Sequence, residues 1–206
     1  MSRLLLVRHG ITEFNSTRRF AGYSDIEMSA AGYEQVERLC DRLANEKIDI
    51  IYSSDLRRAL VTAEVISSRH EVDIVTCPEL REVSYGDCEG LTFQEISDSY
   101  PEVAESIANF DLIKLRFPGG ESFEEFIERT SKFLDKLNQH APSETMLIVA
   151  HSGPLRVLVC RLLGIDMVHW RQFRIDTASL SIMETHPRGA ILSLLNDASH
   201  LREVDE

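Results

Sequence analysis

The chain has 206 residues, 43% of them hydrophobic and 27% charged, a length and balance that suit one globular domain with a sizeable core. Its 22 Lys and Arg stand against 34 Asp and Glu for a net charge of −12, which argues against nucleic acid and anionic membrane as partners. Cys40, Cys77, Cys88 and Cys160 are too scattered for a zinc ribbon or a redox pair and suit a reducing compartment, so a cytoplasmic location is expected.

Met1-Ser2-Arg3 leads directly into the apolar run Leu4 to Val7, read as a strand covered on both faces rather than as a signal peptide. Ser29 is placed to cap a helix reaching about Glu46, with Val36, Leu39, Cys40 and Leu43 on one side. Ile48 to Tyr52 is a second strand, and Ser54 or Asp55 is expected to cap a helix through Ala59, Ala63 and Ile66. Val72 to Val75 is a third strand. Thr92 with Glu95 forms a capping box for a short helix that should stop near Pro101. Ser122 with Glu125 forms another, opening a long helix whose stripe Phe123, Phe126, Ile127, Thr130, Phe133, Leu134 and Leu137 is core. Met146 to Ala150 is the next strand and Pro154 to Leu163 the next helix. Leu180 to Met183 and Ala190 to Leu194 form a closing pair around Pro187-Arg188-Gly189.

This alternation predicts an α/β fold, a three-layer sandwich with a mostly parallel central sheet flanked by helices. In such sheets ligands bind beyond the carboxyl ends of the strands. The first strand runs into Arg8-His9-Gly10, the second into Ser53-Ser54-Asp55-Leu56-Arg57-Arg58, and the strand ending at Ala150 into His151-Ser152-Gly153. Two imidazoles and at least two guanidiniums are thus expected in one crevice.

The set suits phosphoryl transfer. Arg8 and Arg58 supply forked, charge-assisted donors for phosphate oxygens and offset the chain's negative charge locally. A neutral imidazole on His9 can attack phosphorus, and His151 can stabilise an equatorial oxygen. The leaving oxygen needs a proton, for which a carboxyl with a raised pKa serves; Glu82, in Leu80-Arg81-Glu82-Val83, is the candidate, with pairing to Arg81 as the alternative role. Arg57 reads as a solvated charge. Asn15 and Ser152 are read either as phosphate contacts or as turn residues. Tyr23, Tyr85, Phe110 and Phe117 are expected at the substrate mouth, Trp170 and Phe173 in packing or a subunit contact. His70, His140, His169, His186 and His200, with the tail Glu203 to Glu206, are expected to be solvated.

Arg8-His9-Gly10 with Thr12 and Asn15, Gly22 and Asp25, Ser54-Asp55-Leu56 with Arg58-Ala59 and Thr62-Ala63, Leu80-Arg81-Glu82 with Gly86 and Glu89-Gly90, Pro118-Gly119-Gly120-Glu121-Ser122 and Ala150-His151-Ser152-Gly153 together resemble the histidine phosphatase superfamily. The ordered matches run from residue 4 to about residue 183. The resemblance implies a phosphoglycerate-mutase-like fold over residues 1–206, with about 82–125 as a small cap-like insertion. It implies His9 as the phosphorylated residue and Glu82 as proton donor. It implies a pocket of Arg8, Asn15, Gly22, Arg58, His151 and Ser152, and no metal or other cofactor. The chain departs from the family's commoner pattern at Ile11, Phe14, Cys88 and Ser152-Gly153-Pro154. Between Gly90 and Pro118 it offers only Lys114 and Arg116 where the mutases hold a carboxylate. The better resemblance is to the α-ribazole phosphatase group, then to metal-independent phosphoserine phosphatases, which Pro154, Asp176, Ala178, Ser179, Ser181 and His200-Leu201 resemble.

The expected partner is a small phosphorylated metabolite, with a homodimer through the late strands. Three further functions are carried: a phosphoglycerate mutase, a metal-dependent hydrolase using His9, His151 and Glu82 as ligands, and a non-catalytic phospholigand-binding protein.

Overall fold

Strand β1 (Arg3–Arg8) lies at the middle of the sheet, and its Leu4, Leu5, Leu6 and Val7 are buried. A computed structural model describes residues 2–109, 111 and 115–202. The elements that follow are α1 (Glu13–Ser16), α2 (Ala30–Leu43), β2 (Ile50–Ser53), α3 (Arg57–His70), β3 (Ile74–Thr76), α4 (Phe93–Ser99), α5 (Pro101–Ala108), α6 (Phe123–Ser131), α7 (Phe133–Leu137), β4 (Thr145–Ala150), α8 (Ser152–Leu163), β5 (Leu180–His186) and β6 (Gly189–Asp197), with single 3-10 turns between some of them.

The strand order is β3-β2-β4-β1-β5-β6. The first four of these strands are mutually parallel; β5 runs antiparallel to β1, and β6 antiparallel to β5. Parallel strands covered on both faces need apolar residues at successive positions, which β1 and β4 supply. Leu5 and Val7 pack with Val36 and Leu39 of α2 and Ala59, Ala63 and Ile66 of α3. Leu4 and Leu6 pack on the other face with Phe133 and Leu137 of α7 and Leu155, Leu158 and Val159 of α8. The three-layer α/β sandwich is therefore as expected. A third apolar cluster joins Val83, Cys88, Ile96, Val103, Phe117 and Phe123 to the outer side of α8 and to Trp170.

Several local expectations need correction. Helix α3 has Leu56 at its N-cap and no side-chain cap. Ser54 Oγ accepts only the Leu56 N–H ahead of the helix and faces His151, Asp55 binds Arg81, and Asp25 Oδ1 accepts the Arg57 N–H at 2.9 Å instead. Pro101 stops α4 but also opens α5, because a proline suits the first helical turn, where its missing N–H costs nothing. The expected long helix after Ser122 is divided into α6 and α7 at Lys132; just before the break, the Ser131 hydroxyl donates to the Ile127 carbonyl one turn back, a competitor for the helical ladder. The third strand starts at Ile74 rather than Val72. His140 is half-buried, bonded to the Tyr52 hydroxyl and the Glu144 carboxylate at 2.6 Å each. His200 is not solvated: its Nε2 meets the Ala178 carbonyl at 2.9 Å, and burial lowers its pKa. Phe110, Lys114 and Glu203 to Glu206 lie outside the described residues.

Candidate active site

Register assembles the site. Arg8 pairs with Ala150 across the β1–β4 ladder, so the next residue on each strand, His9 and His151, emerges beside the other. The His9 N–H donates to the Ala150 carbonyl at 3.1 Å, and the ring centroids lie 5.0 Å apart. On the other side of β4, Ser53 pairs with Val149, which puts Ser54 next to His151.

The two imidazoles are held alike. His9 Nδ1 donates to the Gly10 carbonyl at 2.8 Å, which leaves Nε2 as the nitrogen with a free lone pair. His151 Nε2 meets the Ser54 hydroxyl at 2.9 Å, while its buried Nδ1 has no partner among the described residues. Both rings are buried, and their pKa values lie well below the usual 6.5. Desolvation is the main cause, followed for each by the Arg58 guanidinium. Neutral imidazole is the form needed for a nucleophile.

Arg58, in the first turn of α3, is 1% exposed. Its guanidinium donates to the Gly22 carbonyl at 2.8 Å and the Ser24 carbonyl at 2.9 Å, and its buried Nε has no partner among the described residues. Gly22 thus contributes its backbone to Arg58 rather than lining the cavity. Its φ of +51° favours glycine, and a Cβ there would collide with the Glu89 carboxylate. Arg8 donates to the Ile175 carbonyl at 2.8 Å, with Nε again free. Arg57 is exposed and paired with Glu27, as its reading as a surface charge implies.

Glu82 is buried and does not pair with Arg81, which binds Asp55. Its carboxylate accepts the Gly153 N–H at 3.2 and 3.3 Å, the Ser152 hydroxyl at 3.2 Å and its neighbour Val83 N–H at 3.1 Å. It therefore sits on the N-terminal turn of α8, where backbone donors converge. Gly153 is required, since a Cβ would collide with that carboxylate. Ser152 serves Glu82 as well as facing the cavity.

A cavity of about 250 Å³ is lined by Arg8, His9, Asn15, Arg58, Glu82 and Ser152, and its outer wall by Phe14, Arg18, Arg19, Phe20, Ala21 and Tyr85. Asn15 closes a capping box, its Oδ1 accepting from the Thr12 N–H and hydroxyl, and its amide NH₂ has no partner among the described residues. Of the four aromatics expected at the mouth only Tyr85 is there among the described residues. Phe117 is core, Tyr23 lies under Arg81 and Arg129, and Phe14 and Phe20 line the wall instead. No three His, Cys, Asp or Glu side chains among the described residues are grouped to hold a metal ion, so His9, His151 and Glu82 do not form a ligand set.

Sequence reading missed Arg129. Its guanidinium pairs with Glu121 and donates to the carbonyls of Glu79, Arg81 and Glu82 at 2.9–3.1 Å, gripping the segment that carries the carboxylate. Glu121 in turn accepts the Ser84 N–H. In the sequence Arg129 is one more charged residue on a helix with several, so only the position of Glu121 eight residues earlier hinted at it. Arg156 of α8 was missed too: it donates to the Phe173 carbonyl at 2.7 Å and stands over Trp170, close enough to Arg8 and Glu82 to act on their charges.

Two side-by-side neutral imidazoles, buried guanidiniums and a carboxylate on an α/β sheet edge define a phosphoryl-transfer enzyme. The sequence profile of the histidine phosphatase superfamily (branch 1) matches residues 4–198. Phosphoserine phosphatase 1 of Hydrogenobacter thermophilus is 32% identical over 98% of this chain and 96% of its own. The crystal structure of the α-ribazole phosphatase from Shigella flexneri superposes with a TM-score of 0.89 at 30% identity, covering 95% of this chain and 96% of that one. A mycobacterial glucosyl-3-phosphoglycerate phosphatase in complex with VO3 superposes at 0.83, with 28% identity over 94% of this chain and 98% of that one. The chain belongs to the histidine phosphatase superfamily and is a phosphoric monoester hydrolase. Among the described residues no helix is long and apolar enough to cross a membrane.

Proposed function

We propose that this enzyme hydrolyses a small phosphomonoester through a phosphohistidine on His9. The observation that carries the reading is the pair of neutral imidazoles, each tied at one ring nitrogen and uncommitted at the other. His9 Nε2 forms the bond to phosphorus as the ester P–O bond breaks, and Glu82 gives a proton to the departing oxygen. Water then attacks the phosphohistidine as Glu82 takes its proton; the new P–O bond forms, the P–N bond breaks with its electron pair returning to His9 Nε2, and phosphate leaves. Arg8, Arg58 and Asn15 hold the equatorial oxygens. His151 stabilises them by donating from Nδ1, which requires the Ser54 hydroxyl to donate to Nε2 and so fix the tautomer. Residues 82–125 act as a cap over this chemistry.

An α-ribazole-5′-phosphate-like ester is the first reading of the substrate, supported by the likeness to the Shigella enzyme. Phosphoserine is the second, favoured by the cavity of about 250 Å³, which is at the small end for metabolite sites. The enzyme works in the cytoplasm, on a free metabolite. Its dimer contact is the outer edge of β6, where Ile191 and Leu195 are exposed. Turnover of α-ribazole 5′-phosphate, phosphoserine, 3-phosphoglycerate and p-nitrophenyl phosphate without added metal, and its inhibition by vanadate, tests the reading. Isomerisation of phosphoglycerate instead of hydrolysis, or activity lost to chelator and restored by zinc, overturns it.

A further inference from the structure

Arg18 occupies a position that its residue type does not suit. It follows α1, where the turn is closed by the Arg18 N–H to the Asn15 carbonyl at 3.2 Å and the Arg19 N–H to the Phe14 carbonyl at 2.8 Å. Closing a helix in this way places the residue in the left-handed region, and Arg18 has φ +55°. Glycine and asparagine take that conformation readily, whereas a long side chain is strained there. The backbone cannot relax out of it easily, because Phe20 and Gly90 bond each other's neighbourhood through Phe20 N–H to Leu91 carbonyl at 2.9 Å and Gly90 N–H to Phe20 carbonyl at 2.8 Å.

The strain brings no structural contact in return. Arg18 is exposed, and its guanidinium makes no hydrogen bond or ion pair with any described residue; it lines the same cavity as His9, Arg58 and Glu82. Its neighbour Arg19 is the contrast, bound to the Gly90 carbonyl at 2.6 Å and to Glu95 at 2.9 Å. In a chain of net charge −12, an uncommitted cation on the wall of an anion-binding cavity is a local reversal of the overall field. Glu71 takes the same conformation after α3 with φ +54°, so the conformation alone marks a helix end; it is the place of Arg18 on the cavity wall, without a structural partner among the described residues, that points to a ligand.

We infer that Arg18 is a specificity residue that binds a second anionic group on the leaving portion of the substrate, a carboxylate or a further phosphate. Arg8 and Arg58 hold the reacting phosphate at the inner end, and Arg18 reads the far end across the aromatic wall of Phe14, Phe20 and Tyr85. This rests on the phosphomonoesterase reading above and bears on its choice of substrate: esters with an anionic leaving group, such as phosphoserine or 3-phosphoglycerate, are preferred to esters with a neutral one, which moves phosphoserine ahead of an α-ribazole-5′-phosphate-like ester.

The test compares wild type, Arg18→Asn and Arg18→Lys on phosphoserine, on a bisphosphate, and on glycerol 1-phosphate as the ester with a neutral leaving group. Arg18→Asn should raise KM for one of the two-anion esters about tenfold relative to that for glycerol 1-phosphate, with kcat for each little altered. Which ester responds tells carboxylate from phosphate. Arg18→Lys, which keeps the charge, should retain most of the preference. Asparagine tolerates φ +55°, so the Asn variant should melt no lower than wild type, which separates lost recognition from lost folding. Calorimetric binding of the same esters to the His9→Ala protein and to its Arg18→Asn double variant reads the same ratio without turnover. A wild type that hydrolyses none of the esters therefore sinks the phosphatase reading, not this one. Parallel changes on all esters, a wild type with no preference, or a Lys variant as unselective as Asn overturns the role of Arg18.

Discussion

At the inner end of the cavity His9 and Arg58, with His151 directly behind the His9 ring, are at most 3% exposed, and each is tied to backbone or to a hydroxyl through at least one nitrogen. At the mouth, Phe14, Asn15, Arg18 and Tyr85 are half-buried or exposed and stand on the short helix α1 and the loops beside it, and Arg18 has no partner among the described residues. The inner groups inherit their positions from a strand register: Arg8 opposite Ala150 and Ser53 opposite Val149 leave little freedom to the residues that follow. The outer groups inherit theirs from a four-residue helix and a loop, which tolerate change at little cost to the core. A rigid floor suits chemistry common to all phosphomonoesters, and an adjustable wall suits the choice among them.

That contrast is broken or sharpened by substitution on each side. The largest effect is expected at the floor: Arg58→Ala should cost on the order of 10³-fold in kcat/KM for every ester, because it removes charge from the developing transition state. It should also move the acid limb of the rate profile to higher pH, since Arg58 is one of the groups that hold the His9 pKa down. A loss confined to one substrate would place Arg58 with the mouth instead.

Next comes the support beneath Glu82. Arg129→Ala leaves Glu121 and three carbonyls of the 79–82 segment without their donor, and a stability loss of about 2–3 kcal/mol is expected by denaturant titration. Because the same segment carries the proposed proton donor Glu82, kcat should fall for aryl phosphates less than for alkyl phosphates, whose leaving oxygen needs the proton more. Equal losses on both would leave Arg129 with a structural role alone.

The floor should also dominate acid stability. His9 and His151 are held neutral in the fold, so between their depressed values and the usual 6.5 the unfolded chain binds more protons than the native one. Stability therefore falls as pH drops below about 6.5. Asp55 and Glu46, held low mainly by hydrogen bonds from Arg81 and Arg3, extend the loss at still lower pH. Melting measured at pH 7 and at pH 5 should show a fall that shrinks in the His9→Ala, His151→Ala double variant; a flat profile in wild type contradicts the burial argument. The smallest effect is expected at the wall, where Phe14→Ala should change KM by less than about tenfold and leave kcat nearly constant.

How far each region was legible in the sequence follows from the same division. Arg8-His9-Gly10 and Ala150-His151-Ser152 announce themselves because each directly follows a run of apolar residues, and the rule that ligands gather past strand ends then brings the two together. The helix caps at Ser29, Thr92 and Ser122 were readable for a similar reason, since cap chemistry is confined to three or four neighbouring residues. Contacts across the fold were not. Asp25 capping α3, Arg129 gripping residues 79–82 and Ser54 orienting His151 depend on which loops meet, which no local pattern encodes. Pro101 misled for a local reason, since one proline both ends α4 and begins α5. Tyr23 and Phe117 misled for a tertiary one: aromatic residues near motif positions pack under arginines or into the third cluster as readily as they face a ligand.

We propose that the phosphoryl group passes through His9 Nε2, with His151 beside it as a stabiliser that is never itself phosphorylated. Rapid quenching of the enzyme with radiolabelled substrate into alkali, followed by peptide mapping, measures this directly. An acid-labile, alkali-stable label is expected on the peptide containing Arg8-His9-Gly10, formed also in His151→Ala at a lower rate and absent in His9→Ala. Label on His151 or on a serine, or full turnover by His9→Ala with its fold intact, would contradict it.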